Sequence, residues 1–482
     1  MIDRAQRNVA LLVAGCFFME MLDGTIVTTS APRIAHALHV SVGEIALVIT
    51  SYLIALAVLI PASGWIAARF GGRRTFLAAI ALFTLASVGC AASTSFPELV
   101  VMRVLQGTGG AMMVPVGRLL VVSSATPDKL MRLTALLVWP ALISPVIAPL
   151  AGGLITTYLS WHWLFLINLP LGVLALVIAF RIVHPPPLPL PGPLDTKGVA
   201  LLGLGLGGLT FTANLLAQTR TNWALVTAIG VPSAVLLTAA VLHLLRAKAP
   251  VIDLRLLRID TFRSGLTGSA FHFTAMAAAP FMASLLFEEV FHWSPVKSGS
   301  VVLFLFVGNV AVKPLTTSLY SRHGFRRVLV VATAALALSL VLLGVVGTAT
   351  PVVVLALILL LNGAGRSVGA TGYATMILSD VPPPAMRDAN AMMLSVQQLG
   401  ASWGVAGGAI ALRLGAPITT LLGAGTSRHL EFTVAFVLVG CLALLATLTA
   451  LRMHPSSGEG LISPARRAAE PAASSAPRAP SR

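Results

Sequence analysis

Residues 61–74 read PASGWIAARFGGRR, and residues 314–327 read PLTTSLYSRHGFRR. The same marks fall at the same places. Pro61, Arg69, Gly71, Arg73 and Arg74 return as Pro314, Arg322, Gly324, Arg326 and Arg327. Each set closes one long apolar run and opens the next. A fainter echo relates Gln106-Gly107-Thr108-Gly109 to Asn362-Gly363-Ala364-Gly365. Two homologous halves in a strongly apolar chain are the parallel-repeat plan of many transporters.

The composition around these repeats agrees with that plan. Of 482 residues, 57% are apolar and 10% are charged, and the mean hydropathy is +0.91. A soluble chain of this size has no way to hide so much apolar surface, so soluble, disordered and disulfide-stapled classes are excluded. The apolar runs are continuous and longer than barrel strands, which favours spanning helices of about 20 residues. They fall at 8–30, 45–67, 75–94, 98–122, 133–157, 163–183, 198–217, 223–245, 264–287, 296–319, 328–348, 351–377, 390–412 and 431–451. The prediction is an all-α polytopic membrane protein with fourteen transmembrane helices: two six-helix bundles related by a pseudo-twofold, plus two inserted helices. Its expected divisions are 1–183 (first bundle), 184–262 (linker with the inserted pair), 263–451 (second bundle) and 452–482, a disordered cytoplasmic tail rich in Pro, Ser, Ala and Arg.

The net charge of +16 is explained without a nucleic-acid partner. With the amino terminus inside, the outer connections carry only Arg33, Arg220, Lys297, Arg413 and Arg428, and most other Lys and Arg residues fall on inner connections. That bias predicts a multi-pass membrane protein with both termini cytoplasmic. Cys16, Cys90 and Cys441 are scattered and suggest neither disulfides nor a metal site. No Walker A or HExxH pattern occurs, so neither an enzyme nor a bound cofactor is expected.

Once loop charges are set aside, Glu20, Asp23, Arg103, Arg118, Lys313 and Arg366 remain inside apolar runs. Intramembrane charges are costly and default to functional candidates. Glu20 and Asp23 lie three apart on one helical face. Burial favours the neutral form of a carboxyl group, so such a group can take up and release a proton, or attract a cation. Either one also fits a hydrated position near a helix end. Arg103 needs a partner in the bundle, with Asp23 or Glu20 the candidates, unless it snorkels to the outer interface. Proton coupling is therefore assigned to Asp23, Glu20 and Arg103. Substrate contact is assigned to Asp23, Gln106, Lys313, His272 and Arg366; Lys313 also fits a snorkelling role, and His272 a satisfied core histidine. Pro145, Pro149, Gly152 and Gly153 read either as a kinked gate between the halves or as packing. Gly64, Arg69, Gly71, Arg73 and Arg74 read as a latch against helix C-termini or neighbouring acids, or as ordinary inner charge.

Taken together, these segments resemble the major facilitator superfamily, in particular its fourteen-helix drug:proton antiporter group. Leu22–Val27 resembles that group's first-helix motif, and Gly64–Arg74 the loop motif between helices 2 and 3. Arg103–Gly110 resembles the helix 4 motif whose arginine is tied to proton transfer, and Ala148–Gly153 the antiporter motif. Trp161–Gly172 and Pro250–Arg258 resemble further segments of the group. Three positions depart: Ala68 stands where the loop motif has an acid, Ala148 where helix 5 has a glycine, and His162 where an arginine is usual. The resemblance implies proton-driven export of amphipathic, often cationic, drugs or toxic small molecules by alternating access. On the same fold, a proton-coupled transporter of one metabolite (sugar, amino acid or siderophore) is the alternative. The resemblance also implies a place in a bacterial inner membrane, with a small-molecule substrate, protons and the lipid bilayer as partners. A monomer is expected, with a periplasmic adaptor if the host has two membranes.

Overall fold

The computed structural model describes residues 4–123, 127–183, 193–217, 221–382, 385–421 and 427–453. The proline-rich stretch 184–192 and the tail from 454 lie outside the described residues.

The apolar runs become long helices. The first half holds α1 (Arg4–Thr29), α2 (Val42–Phe70), α3 (Gly72–Ala92), α4 (Phe96–Ser123), α5 (Pro127–Tyr158) and α6 (Asn168–Ile182). Two inserted helices follow, α7 (Thr196–Ala217) and α8 (Trp223–Arg246). The second half holds α9 (Asp260–Leu285), α10 (Pro295–Ala311), α11 (Phe325–Val345), α12 (Val352–Ile377), α13 (Met386–Leu421) and α14 (Arg428–Arg452). After a break at Val312, α10 continues as Lys313–His323. Among the described residues, thirteen helices are long and apolar enough to cross a membrane, and the described part of α5, Ile143–Tyr158, is a shorter apolar stretch. The chain is a multi-pass membrane protein with the expected six, two and six arrangement.

Local chemistry sets the helix ends. Ser41 and Glu44 form a reciprocal cap at the start of α2: each side chain accepts the other's backbone N–H, at 3.3 and 2.8 Å. Asn222, Ser294 and Ser427 cap α8, α10 and α14. The repeated glycines of the two basic turns have a common cause. Gly71 and Gly324 adopt φ of +90° and +78°, a region where a Cβ is strained.

The repeat is visible in the packing. A Cβ on Gly107 of α4 would meet the Tyr52 carbonyl of α2 at 2.6 Å, and one on Gly109 the Phe83 nitrogen of α3 at 2.7 Å. In the second half, Gly363 of α12 sits against the Leu305 carbonyl of α10, and Gly365 against the Leu336 nitrogen of α11. Gln106 donates to Ser87 at 2.8 Å, and Asn362 donates to Ser339 at 2.9 Å. Small residues let these backbones touch in a medium that supplies no hydrophobic drive between helices.

The inserted pair lies along the seam between the halves. Leu206 of α7 packs with Ile54 and Val58 of α2 and with Leu399 of α13. Asp195 fastens the base of the pair, accepting from Gly198 N at 2.8 Å and Val251 N at 3.2 Å and lying 2.7 Å from His243 Nε2.

At the end opposite Arg4 and Arg452 the two halves are in backbone contact. Gly153 of α5 lies against the Pro295 carbonyl at the start of α10, and Gly299 of α10 against the Pro149 carbonyl. Nearby, Arg33 reaches Glu288 across the halves at 3.6 Å. A valine at either glycine must hold α5 and α10 apart, at an overpacking cost of about 1–3 kcal/mol. We expect Gly153→Val and Gly299→Val to open this end. With the native cysteines replaced, a cysteine at Ala409, which lines the charged vestibule there, should then react roughly tenfold faster with a membrane-impermeant thiol reagent. An unchanged rate would show that the glycine contact does not hold this end shut.

Candidate functional site

Asp23 is held by side chains from two other helices, with a third behind them. Arg103 Nη1 of α4 donates to Asp23 Oδ2 at 2.5 Å. Gln106 Nε2 of α4 and Asn168 Nδ2 of α6 both donate to Asp23 Oδ1 at 2.8 Å. Ser87 of α3 ties the two amides together, accepting from Gln106 at 2.8 Å and from Asn168 at 3.4 Å. All five side chains are buried. Their positions follow from the packing: the Gly107 and Gly109 contacts bring α2 and α3 against α4, and Arg103 and Gln106, three apart, share one face of α4.

Arg103 is further fixed from α2. Its Nε donates to the Val48 carbonyl at 3.1 Å, its Nη1 also donates to Gln106 at 2.7 Å, and its guanidinium lies 4.2 Å from the centre of the Tyr52 ring. The structure thus pairs Arg103 with Asp23 rather than with Glu20 and buries it fully, away from any snorkelling position. The register that matches Gln106 to Asn362 puts Leu359 where Arg103 stands, so the second half keeps the amide–hydroxyl pair without the charge.

Glu20 is placed differently. It is buried, its Oε2 has no hydrogen-bond partner among the described residues, and it lines a small cavity of about 140 Å³ between the halves. Arg366 of α12 lines the same cavity from the second half, donating from Nη1 to the Met276 carbonyl at 3.1 Å with its guanidinium 5.3 Å from the Phe306 ring centre.

The other sequence candidates lie around this centre. Gln106 belongs to the Asp23 network. His272 is buried in the second half, with Nε2 3.2 Å from the Arg366 carbonyl, and Lys313 donates to Thr371 at 2.7 Å; neither lines the cavity. Pro149, Gly152 and Gly153 lie where α5 meets α10 and α1: Gly152 packs against Ser30 and Ile26, and Pro145 is half-buried one turn before Pro149. In the basic turn, Arg73 donates to the Phe180 carbonyl at 2.6 Å, in the last turn of α6, and stacks over the Phe180 ring. Gly64 is half-buried, and Arg69, Gly71 and Arg74 are exposed. His162, where the resemblance expects arginine, stacks on Trp161 with ring centres 3.9 Å apart.

Asn168 falls within Trp161–Gly172, a segment that resembles the family without marking this residue, and nothing along the chain marks Ser87 or Tyr52. A lone asparagine or serine in an apolar run carries little signal by itself. Among the described residues no three His, Cys, Asp or Glu side chains gather as a metal site requires.

Two pseudo-symmetric bundles enclosing a small charged cavity define a membrane transporter of small solutes. The comparisons place it further. Residues 13–405 match the Major Facilitator Superfamily, and the chain belongs to that family. It is 36% identical over 396 residues to a protein of Salmonella typhimurium with the provisional name multidrug resistance protein MdtD, covering 82% of this chain and 84% of that one. The protein of the same name from Pectobacterium atrosepticum is 35% identical over 398 residues, with the same coverage of both chains. Among solved structures, an auto-inhibited POT family peptide transporter aligns with a TM-score of 0.71 at 17% identity, covering 94% of this chain and 98% of that one. A D-xylose–proton symporter aligns at 0.66 and 15% identity with the same coverage.

Removing one partner of a buried ion pair strands the other. We expect Arg103→Ala or Asp23→Asn to cost about 3–5 kcal/mol of stability, and the double variant to cost clearly less than the sum. Thermal unfolding of the purified chain and its three variants measures this. Additive effects would mean that the contact is not energetically coupled.

Proposed function

We propose that the protein exports amphipathic drugs or other toxic small molecules in exchange for protons, by alternating access. The observation that carries this reading is the pairing of a locked carboxylate with an open one on a single helix. Asp23 is clamped by Arg103, Gln106 and Asn168, while Glu20, one turn earlier, faces the cavity between the halves. In the cycle, Asp23 takes up a proton from outside as substrate leaves. Neutralised, it loses its hold on Arg103, and α1 is released from α4 and α6. The halves then rock, and the proton leaves inside as substrate binds, its cationic group lying beside Glu20.

The driving force is adequate. One pH unit supplies about 1.4 kcal/mol per proton, and 100 mV supplies about 2.3 kcal/mol per charge moved. In this reading the protein lies in a bacterial inner membrane with both termini in the cytoplasm. The α5–α10 contact and the Arg33–Glu288 pair then seal the outer side, and Pro145, Pro149, Gly152 and Gly153 form the hinge of that seal. The Arg73 contact with the end of α6 steadies the inner side of the first half. The similarity to the MdtD proteins supports the substrate class.

Expression in a drug-sensitive bacterium should raise tolerance several-fold to at least one amphiphile in a panel of dyes and antibiotics. Asp23→Asn and Glu20→Gln, at equal membrane abundance, should each remove the tolerance. In proteoliposomes, an outward gradient of that compound should drive proton uptake by the unaltered chain and not by Asp23→Asn. Equal proton uptake by the two proteins would overturn the mechanism.

A further inference from the structure

Glu20 and Arg366 are the two charges of the central cavity without an ionic partner among the described residues. Arg103 also lines the cavity, but its charge is met by Asp23 at 2.5 Å. Glu20 lies on the first half and Arg366 on the second, and no ion pair joins them. Among the described residues, Oε2 of Glu20 is buried and unpartnered, and the Arg366 side chain donates to a neutral carbonyl. Between them the walls are mostly apolar or aromatic, with Leu53, Leu56, Ala277, Phe306 and Val405.

We propose that the preferred substrate is a zwitterionic amphiphile: a compound with an ammonium group for Glu20, a carboxylate or similar anion for Arg366, and an apolar body between or beside them. This deepens the export reading and rests on it. A buried charge without a counter-charge is costly in a membrane interior. A simple cation relieves Glu20 and leaves Arg366 facing a further positive charge. A simple anion does the reverse. Only a ligand with both signs satisfies both walls, and a fork-shaped guanidinium is well suited to a planar carboxylate. Because the two charges belong to different halves, such a ligand also bridges them and favours the arrangement in which the cavity is closed. A proton on Glu20 cancels one of the two attachments and so loosens the ligand.

The test is binding to the purified full-length chain in detergent, followed by calorimetry or thermal shift. The probes are three matched triplets: phenylalanine, tryptophan and phenylalanyl-phenylalanine, each as the free zwitterion, the methyl ester (cation only) and the N-acetyl derivative (anion only). For at least one scaffold the zwitterion should bind at least about tenfold more tightly than both derivatives. Arg366→Gln should bring the zwitterion and its ester to similar affinities, weakening the zwitterion and binding the ester at least as tightly as the unaltered chain does, which also shows that the variant is folded. Arg366→Lys should restore part of the preference, and Glu20→Gln should reduce the zwitterion to the level of the N-acetyl form. The proposal is overturned if zwitterion and ester bind equally in every scaffold, if no member of the series binds, or if Arg366→Gln leaves the zwitterion unaffected. A proton-gradient assay on the zwitterion separates this from the export reading. Selective binding without proton-driven transport overturns the exchange mechanism and leaves the substrate class standing.

Discussion

Asp23 and Arg103 meet at 2.5 Å with no exposure to solvent. In a hydrocarbon environment neither charge is tolerable alone. That constraint organises the first half. Arg103 must come from α4 and Asp23 from α1, so the two helices are held in one relative position. The remaining acceptor capacity of Asp23 is filled by Gln106 and Asn168, which brings in α6, and Ser87 brings in α3. Tyr52 and the Val48 carbonyl cover Arg103 from α2. Five helices are thus oriented around one carboxylate, whose charge is the quantity a proton changes.

This polar centre depends on close approach. Side chains as short as serine and asparagine reach one another only because Gly107 and Gly109 let α2 and α3 touch the backbone of α4. The second half repeats these contacts with Gly363 and Gly365 and keeps Asn362 on Ser339, but has Leu359 in place of the arginine. The pseudo-twofold is therefore a symmetry of packing and not of charge. The buried ion pair belongs to one half, and the other contributes Arg366 to the shared cavity.

Much of the fold was legible because lipid imposes simple rules. A helix must be long and apolar, its ends must carry turn residues or caps, and its flanking charges must respect the membrane. The glycine-rich run at 198–217 and the polar-spotted run at 390–412 obeyed those rules as α7 and α13. The candidate site was legible in part. Charges such as Asp23 and Arg103 are rare enough in apolar runs to announce themselves. Asn168 and Ser87 are not, since either residue also occurs in spanning helices as a backbone-bonded or packing residue.

The sequence by itself determined the number of spans, the division into repeated halves and the short set of intramembrane charges. Each of these follows from composition and periodicity along one helix. The tertiary structure decided which charge meets which. It placed Asp23 in a closed network and left Glu20, one turn away, facing the cavity. It kept Lys313 and His272 off the cavity while bringing Arg366 to its wall. Those distinctions are matters of helix rotation and of contact between elements far apart in the chain. A helix's own sequence fixes which of its residues share a face. What that face meets is set by the neighbouring helices, through the small residues that let them close in.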